Sequence, residues 1–312
     1  MADAVSWSLH HLPRQRGRTA VVTGANAGLG LETTRALAAL GARVVMACRN
    51  LEKAYVAADD VRRSVPGADL DVRPLDLADL ASVAAFAETV GDDSLDLLIL
   101  NAGVMRIPER RETADGFELQ FGTNVLGHFA LAAHLVDNVL QAPRSRVVWV
   151  ASIAHRRGRI DLDDLQSRKG YDPTAAYDQS KLADLMLALE MDRRLRARGA
   201  DTIAAAAHPG VSITELADDM LEGRPILRRT LESVAPRILM PAWKGALPTL
   251  VAATTPDVRG GDYVGPQGWR EVRGWPGPAE IAPQARDEAT AAALWERCEA
   301  LTGLPMLSDD AS

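Results

Sequence analysis

The chain is poor in cysteine, with only Cys48 and Cys298 among 312 residues. Two thiols cannot build the disulfide framework of a small secreted domain, and they fit a reducing cytoplasm. Long apolar runs are missing too. No segment approaches the roughly 18 residues of a spanning helix, and the N-terminus carries no signal-peptide core. Low-complexity tracts are absent, while a hydrophobic fraction of 47% suffices for a substantial core. Positive charge is in deficit, and a formal net charge of -7 argues against nucleic acid or an anionic membrane as the main partner. Arginines do cluster at 156, 157 and 159 and again at 193, 194, 196 and 198, where they read as solvated faces. The expectation is a soluble, cytoplasmic protein with no membrane span, no nucleic-acid partner and no metal site.

What is present begins at Thr19. An apolar run (Ala20, Val21, Val22) ends in a turn with glycines at 24, 28 and 30, and a helical pattern through Leu31, Ala36, Leu37 and Leu40 closes at Gly41. Strand, glycine turn and helix in that order make a nucleotide site. Glycines let the backbone approach a pyrophosphate, and the helix start offers free N–H groups and a positive dipole end. The spacing is Gly-x-x-x-Gly-x-Gly, with Asn26, Ala27 and Leu29 in the intervening places. A second buried strand, 42–47, leads into Cys48-Arg49-Asn50. In dinucleotide folds an acidic residue at that strand end binds the ribose 2′-hydroxyl, whereas an arginine suits a 2′-phosphate. Arg49 therefore predicts NADP(H), with NAD(H) as the other coenzyme open to the fold.

Strand 69–75 ends at Asp76-Leu77, where a carboxylate could meet an adenine amino group. Apolar strand 95–100 stops at Asn101-Ala102-Gly103, whose small residues permit close backbone approach. A long helix is predicted over 117–140, with Asn124 in an apolar stretch that requires its amide to be hydrogen-bonded. Strand 146–151 delivers Ser152 at its carboxyl end. Tyr177 and Lys181 follow, four apart and so on one face of a helix continuing over 182–198. A tyrosine has a pKa near 10, and a lysine cation one turn away favours the phenolate. The sixth strand, 202–207, leads to Pro209-Gly210. Strands alternating with helices, the strands apolar throughout, are the pattern of a doubly wound α/β parallel sheet with helices on both faces, here about seven strands.

The ordered set Thr23-Gly24-x-x-x-Gly28-x-Gly30, Asp76, Asn101-Ala102-Gly103, Asn124, Ser152, Tyr177-x-x-x-Lys181 and Pro209-Gly210 resembles the short-chain dehydrogenase/reductase family over roughly residues 17–265. Within it, Ala47-Cys48-Arg49-Asn50, Asp164-Leu165-Gln166-Ser167 and His208-Pro209-Gly210-Val211 resemble the retinol dehydrogenase-like subgroup and its bacterial relatives. Ser152 and Tyr177 stand 25 apart, about twice the family's usual spacing. The extra residues, roughly 156–171, look like an insertion shared with that subgroup.

The resemblance implies an enzyme that interconverts a carbonyl and an alcohol with a nicotinamide coenzyme. Tyr177 would be the general acid or base, Ser152 would hold the substrate oxygen, and Lys181 would assist the tyrosine and bind the nicotinamide ribose. Asn124 would position a water, and Gly210, Val211 and Thr214 would meet the nicotinamide end. The segment 214–242 falls where such folds place a substrate lid. Its bulky apolar residues (Leu216, Met220, Leu221 and Ile226 among them) suggest an apolar small-molecule substrate of some size, while Arg224, Arg228 and Arg229 face either solvent or an anionic group. A loop with Trp269 and Trp275 over 267–278 and a terminal helix over 286–300 complete a single domain, 17–304. A short arm (1–16) precedes it, with Trp7 and Leu9 as anchors, and a loose tail (305–312) follows. The family's pairing of helices around Asn124 and Lys181 implies a homodimer through Ala130, Leu131, Ala132, Leu135, Leu185, Met186, Leu189 and Met191; monomeric relatives leave a single chain open. Two other functions fit the same residues: a tailoring ketoreductase of a polyketide, steroid or terpenoid, and a catalytically silent NADP-sensing regulator.

Overall fold

The computed structural model describes residues 11–210 and 240–308. Five strands, β1 (Thr19–Thr23), β2 (Arg43–Cys48), β3 (Leu70–Pro74), β4 (Leu97–Leu100) and β5 (Arg146–Val150), alternate with helices α1 (Gly28–Leu40), α2 (Leu51–Ser64), α3 (Leu80–Val90) and α5 (Gly127–Gln141). A short α4 (Leu119–Phe121) enters α5 through a π-helical segment, Gly122–Leu126. Then come the long α6 (Pro173–Ala197), β6 (Ile203–Ala207), β7 (Tyr263–Pro266) and β8 (Pro276–Pro278). The sheet order is β3-β2-β1-β4-β5-β6-β7-β8, parallel except for the antiparallel β7–β8 pair. The eighth strand lies in a stretch the sequence assigns to a loop. Two prolines disqualify Pro276–Pro278 as a central strand, but an edge position needs no inner N–H from them.

Alternation along the strands divides the core into two layers. Val21, Val45, Leu98, Val147 and Trp149 face one side, where α3, α5, α6 and the C-terminal helix Glu288–Thr302 cover them. Ala20, Val22, Val44, Met46 and Ile99 face the other, under α1, α2 and the helix Leu247–Thr254. Helix ends follow local chemistry. Gly41 closes α1 at φ 96°, Asn50 caps α2 through the Lys53 amide, and Asp172 caps α6 with Pro173 in its first turn. That cap starts α6 earlier than its apolar pattern suggests. It places Tyr177 and Lys181 in regular helix.

Three expectations change. The helix containing Asn124 begins at Leu119 and carries a π turn at the asparagine itself. The tail beyond 304 is not loose through Leu307: Met306 and Leu307 are buried in the core, and the Met306 amide donates to Glu299 Oε1 at 2.9 Å. Finally, Ala130, Leu131, Ala132, Leu135, Leu185, Met186 and Met191, expected on a subunit interface, are buried within the one chain. The C-terminal helix packs on that side, with Trp295 edge-on to Phe129 at 5.1 Å between ring centroids. At the other end of the chain Leu12 is buried.

Candidate active site

The sheet order reverses at β1, which pairs with both β2 and β4, and at such a point the carboxyl ends of the strands open into a crevice. A cavity of about 650 Å³ occupies it. The glycine turn forms one wall: Gly24, Asn26, Ala27, Gly28, Leu29 and Gly30 all line it. Gly24 (φ 65°) and Gly28 (φ 52°) adopt left-handed backbone, which side chains disfavour. Gly30 is required for a different reason. A Cβ there would lie 2.3 Å from the Gly24 carbonyl oxygen and 2.6 Å from Asn101 Nδ2. At the start of α1 no side chain caps the free N–H groups. A narrow backbone cradle at an uncapped helix start suits a pyrophosphate.

Arg49 stands at one end of the cavity, together with Asn50 and Lys53. Both cations are exposed. From the sequence alone Lys53 reads as an ordinary first-turn helix residue, with nothing to mark it as a cavity cation. Asp76 and Leu77 line the same cavity, and one oxygen of Asp76 accepts the Ala78 amide at 3.0 Å. Asp76 thus shapes its own turn and keeps a second oxygen for the cavity. Buried beside this end, Cys48 is pushed up to about 11 by burial and stays a thiol.

Asn101, Ala102 and Gly103 line the cavity's middle. A hydrogen-bond network ties them to the glycine turn. Thr23 Oγ1 accepts the amides of Asn101 (2.8 Å) and Ala102 (2.9 Å), and Asn101 Nδ2 donates to the Thr23 carbonyl at 2.9 Å. His128 Nε2 lies 2.9 Å from Thr23 Oγ1, and its Nδ1 is 2.9 Å from the Asn124 carbonyl. A carbonyl only accepts, so Nδ1 carries the proton and Nε2 receives the threonine's. Asn124 does not line the cavity. Its Oδ1 accepts the Val104 amide at 2.8 Å, and its Nδ2 donates to the Val104 carbonyl (2.9 Å) and to Ser180 Oγ (3.0 Å). The buried amide is therefore satisfied as its setting demands, and it fastens the loop after β4 to α6.

His128 makes a measurable prediction. Burial, with the Lys181 charge adding, pushes its pKa down to about 3. The unfolded histidine binds a proton below about 6.5 while the folded one does not, so acidification favours the unfolded chain by about 1.4 kcal/mol per pH unit. Between pH 6.5 and 5 this one group should withdraw about 2 kcal/mol. Urea unfolding at those two pH values would show a shallower loss in His128→Gln than in the wild type; equal slopes would refute a buried neutral His128.

Tyr177 and Lys181 line the far end of the cavity, each 5% exposed. Lys181 Nζ donates to the Val150 carbonyl at 3.0 Å and to Asp184 Oδ2 at 2.8 Å. Asp184 is buried, and burial pushes its carboxyl up to about 6 against the pull of Lys181. Beside the tyrosine, Arg157 grips Asp178 through two bonds of 2.8 and 2.9 Å. Ser152 follows the lining residues Val150 and Ala151 but does not itself line the cavity. Its Oγ accepts the Ala154 amide at 3.2 Å. Its carbonyl receives His155 Nδ1 at 2.7 Å and the Tyr263 hydroxyl at 3.3 Å, so the strand end is held from behind. Burial lowers His155 to about 4 and raises Tyr263, leaving both neutral.

The residues after Ser152 do two things. Gln166 receives the Glu118 amide on Oε1 (2.7 Å) and Arg110 Nε on its carbonyl (3.0 Å), which seats the insertion on α4. Arg156, Arg157 and Arg159 wall a second cavity, of about 530 Å³, on the side of α6 that carries Leu182 and Met186. Two of them also pair with carboxylates, Arg156 with Glu271 and Arg157, which stays exposed, with Asp178. Three members of the second basic cluster are likewise paired: Arg193 and Arg194 with Glu190, and Arg196 with Asp192. Pro209 and Gly210 do not line the first cavity. Gly210 (φ 75°) lies under the Val272 carbonyl, and its amide donates to His208 Nδ1, whose Nε2 meets Glu271 at 3.0 Å. Val211, Thr214 and the lid up to 239, with Arg224, Arg228 and Arg229, lie outside the described residues, as do Trp7 and Leu9. Met240, at the lid's end, is buried and accepts the Gly274 amide on its sulfur.

Residues 18–224 match a family model described as short chain dehydrogenase. Human retinol dehydrogenase 13 is 39% identical over 296 residues, covering 92% of this chain and 85% of its own. Human retinol dehydrogenase 14 is 37% identical over 312 residues, covering 92% and 87%. Among solved structures, an uncharacterised protein of Mycobacterium paratuberculosis superposes with a TM-score of 0.80 at 42% identity, covering 96% of this chain and 98% of that one. A protein described as an NAD(P)-dependent gluconate 5-dehydrogenase from Beutenbergia cavernae, with NADP bound at low occupancy, superposes at 0.58 with 25% identity, covering 77% and 91%.

Proposed function

The chain belongs to the short-chain dehydrogenase family, among its retinol dehydrogenase-like members, and from that premise we propose an NADP(H)-dependent enzyme that interconverts an apolar carbonyl compound and its alcohol. The observation that supports this reading best is the single cavity that runs from the glycine turn, past Arg49 and Lys53, to Tyr177 and Lys181. The coenzyme end fits a dinucleotide: backbone N–H groups and tight glycines for the pyrophosphate, and two cations for a 2′-phosphate. When bound, the nicotinamide supplies or takes up the hydride.

The chain's own residues handle the proton and the orientation. Tyr177 gives its phenolic proton to the substrate oxygen during reduction and takes it back during oxidation. Lys181, one turn along α6, favours the phenolate that this exchange requires. Ser152 Oγ, directly after the lining residues Val150 and Ala151, spends an acceptor site on Ala154, and we assign its proton to a substrate oxygen that reaches past the cavity wall at the strand end. Asn124 holds the loop after β4 against Ser180, and so keeps Gly103 beside Lys181. The relatives called retinol dehydrogenases carry an elongated apolar alcohol in their name, and that class is the substrate we assign, retinaldehyde and long-chain aldehydes included.

Absorbance of the reduced nicotinamide, followed with NADPH and then NADH against apolar aldehydes and ketones, tests the reading. Turnover with NADPH preferred is expected. Arg49→Ala should cut the NADPH-over-NADH preference by about tenfold, the loss of one charge-assisted contact, with Lys53 retaining the remainder. Preference for NADH in the wild type would remove Arg49 from this role. Tight NADPH binding without turnover on any substrate would instead favour the sensing regulator.

A further inference from the structure

We propose that Asp184 is a positioning residue for Lys181: its buried carboxylate holds the ammonium against the Val150 carbonyl and offsets its charge, setting how strongly Lys181 acts on the Tyr177 phenol. The inference rests on the reading of Tyr177 as the proton-exchanging group. Its basis is geometric. Lys181 Nζ has three protons, and two are committed, one to Val150 at 3.0 Å and one to Asp184 Oδ2 at 2.8 Å. Both side chains are almost wholly buried, the carboxylate at 2% exposure. Asp184 Oδ1 has no hydrogen-bond partner among the described residues, so this carboxylate leans on Lys181 for its compensation. Burying a carboxylate is costly unless a cation stays beside it, and the same proximity cancels much of the cation's field elsewhere.

The neighbours that could blur this effect can be named. From α5, His128 faces Lys181 and is held neutral by burial. From the C-terminal helix, Cys298 faces Asp184 and remains a thiol, its pKa raised by burial. From β7, Tyr263 faces both Asp184 and Tyr177, and burial raises it too. Arg157, bound to Asp178 beside Tyr177, keeps its charge throughout. Among these groups Asp184 is the one bound directly to Lys181, and burial raises its carboxyl against the pull of that ammonium. With Asp184 ionised, the Lys181–Asp184 pair is neutral and its pull on the phenol is weak. Once the carboxyl is protonated, or replaced by an amide, the pair carries a full positive charge and the phenolate is favoured.

Asp184→Asn tests this with the nearly isosteric amide, which still accepts from Lys181. An opposite charge nearby lowers an acid's pKa by about 1–3 units, and half of that interaction restored corresponds to about one unit. The pH limb of alcohol oxidation, which rises as Tyr177 ionises, should move about one unit toward acid, giving about tenfold faster oxidation on the limb. A second readout needs no substrate: the tyrosinate ultraviolet difference between Asp184→Asn and Asp184→Asn/Tyr177→Phe, set against the same difference for the wild type. It should show the same acid shift even if the enzyme's substrate is never found, which separates failure of this inference from failure of the functional reading. In a Lys181→Gln background Asp184→Asn should produce no shift, because the buried carboxyl without its ammonium stays protonated and neutral. Should the amide not be accommodated, Asp184→Ser is expected to give the same acid shift. An unchanged tyrosinate titration, an alkaline shift, or a shift that persists without Lys181 overturns the proposal.

Discussion

Tyr177→Phe is expected to lower carbonyl reduction and alcohol oxidation alike by about 10² to 10⁴-fold, the range that a positioned general acid or base supplies. The equality of the two directions matters, because one phenolic oxygen exchanges the proton both ways. NADPH binding should change little, since the phosphate cradle and Arg49 lie at the other end of the cavity. Tyr177 is 5% exposed, and phenylalanine retains its ring and packing, so the loss cannot be assigned to an emptied core. Steady-state turnover beside a fluorescence titration of NADPH separates the two effects. A variant that keeps a tenth or more of wild-type turnover would disqualify Tyr177 as the acid. Loss of NADPH binding in parallel with turnover would mean that the ring supports the site's shape rather than its chemistry.

The features legible in the sequence are those fixed by short-range spacing. Three glycines in a strand-to-helix turn, and a tyrosine and lysine one helical turn apart, need no knowledge of what packs on them. Arg49 and Asp76 were legible for a related reason: a strand's end in an open parallel sheet has a known destination. What the sequence withheld is which distant segment covers a given face. The apolar stripes of α5 and α6 look like an interface between subunits, yet the same stripes accept Trp295 and Leu294 of the chain's own last helix. Sequence pattern specifies a need for burial and not the partner that meets it.

Helix α6 conceals the most. Asp178, Gln179, Ser180, Lys181, Asp184, Glu190 and Asp192 are all buried on it, together with its apolar residues. A helix enclosed on nearly every side loses the amphipathic contrast by which core and surface are told apart. Asp184 therefore reads as a solvated residue three positions after the lysine, although it is among the most enclosed carboxylates described. His128 is hidden in a similar way. Its partner Thr23 lies 105 positions away at the end of β1, and the packing of α5 on the sheet brings them together.

Gly30→Ala sets two physical terms of opposite sign against each other, and its outcome tells which governs the turn. Gly30 belongs to helix α1, where replacing glycine by alanine would ordinarily stabilise by about 0.5–1 kcal/mol. Here the added Cβ would sit 2.3 Å from the Gly24 oxygen and 2.6 Å from Asn101 Nδ2. The first is backbone in the turn itself. The second is fixed by its bond to the Thr23 carbonyl, so neither can withdraw without opening the cradle. Overpacking of this kind costs about 1–3 kcal/mol, which outweighs the gain in propensity, so net destabilisation is expected. NADPH affinity should fall by more than about tenfold, since more than about 1.4 kcal/mol of binding depends on backbone N–H groups that the shift misplaces. Gly170→Ala is the control, because a Cβ there meets nothing within 4 Å. Urea unfolding of the coenzyme-free protein and NADPH titration would both be run on the two variants. If Gly30→Ala matched Gly170→Ala in stability and bound NADPH as tightly, the glycine turn would not be a close-packed phosphate cradle.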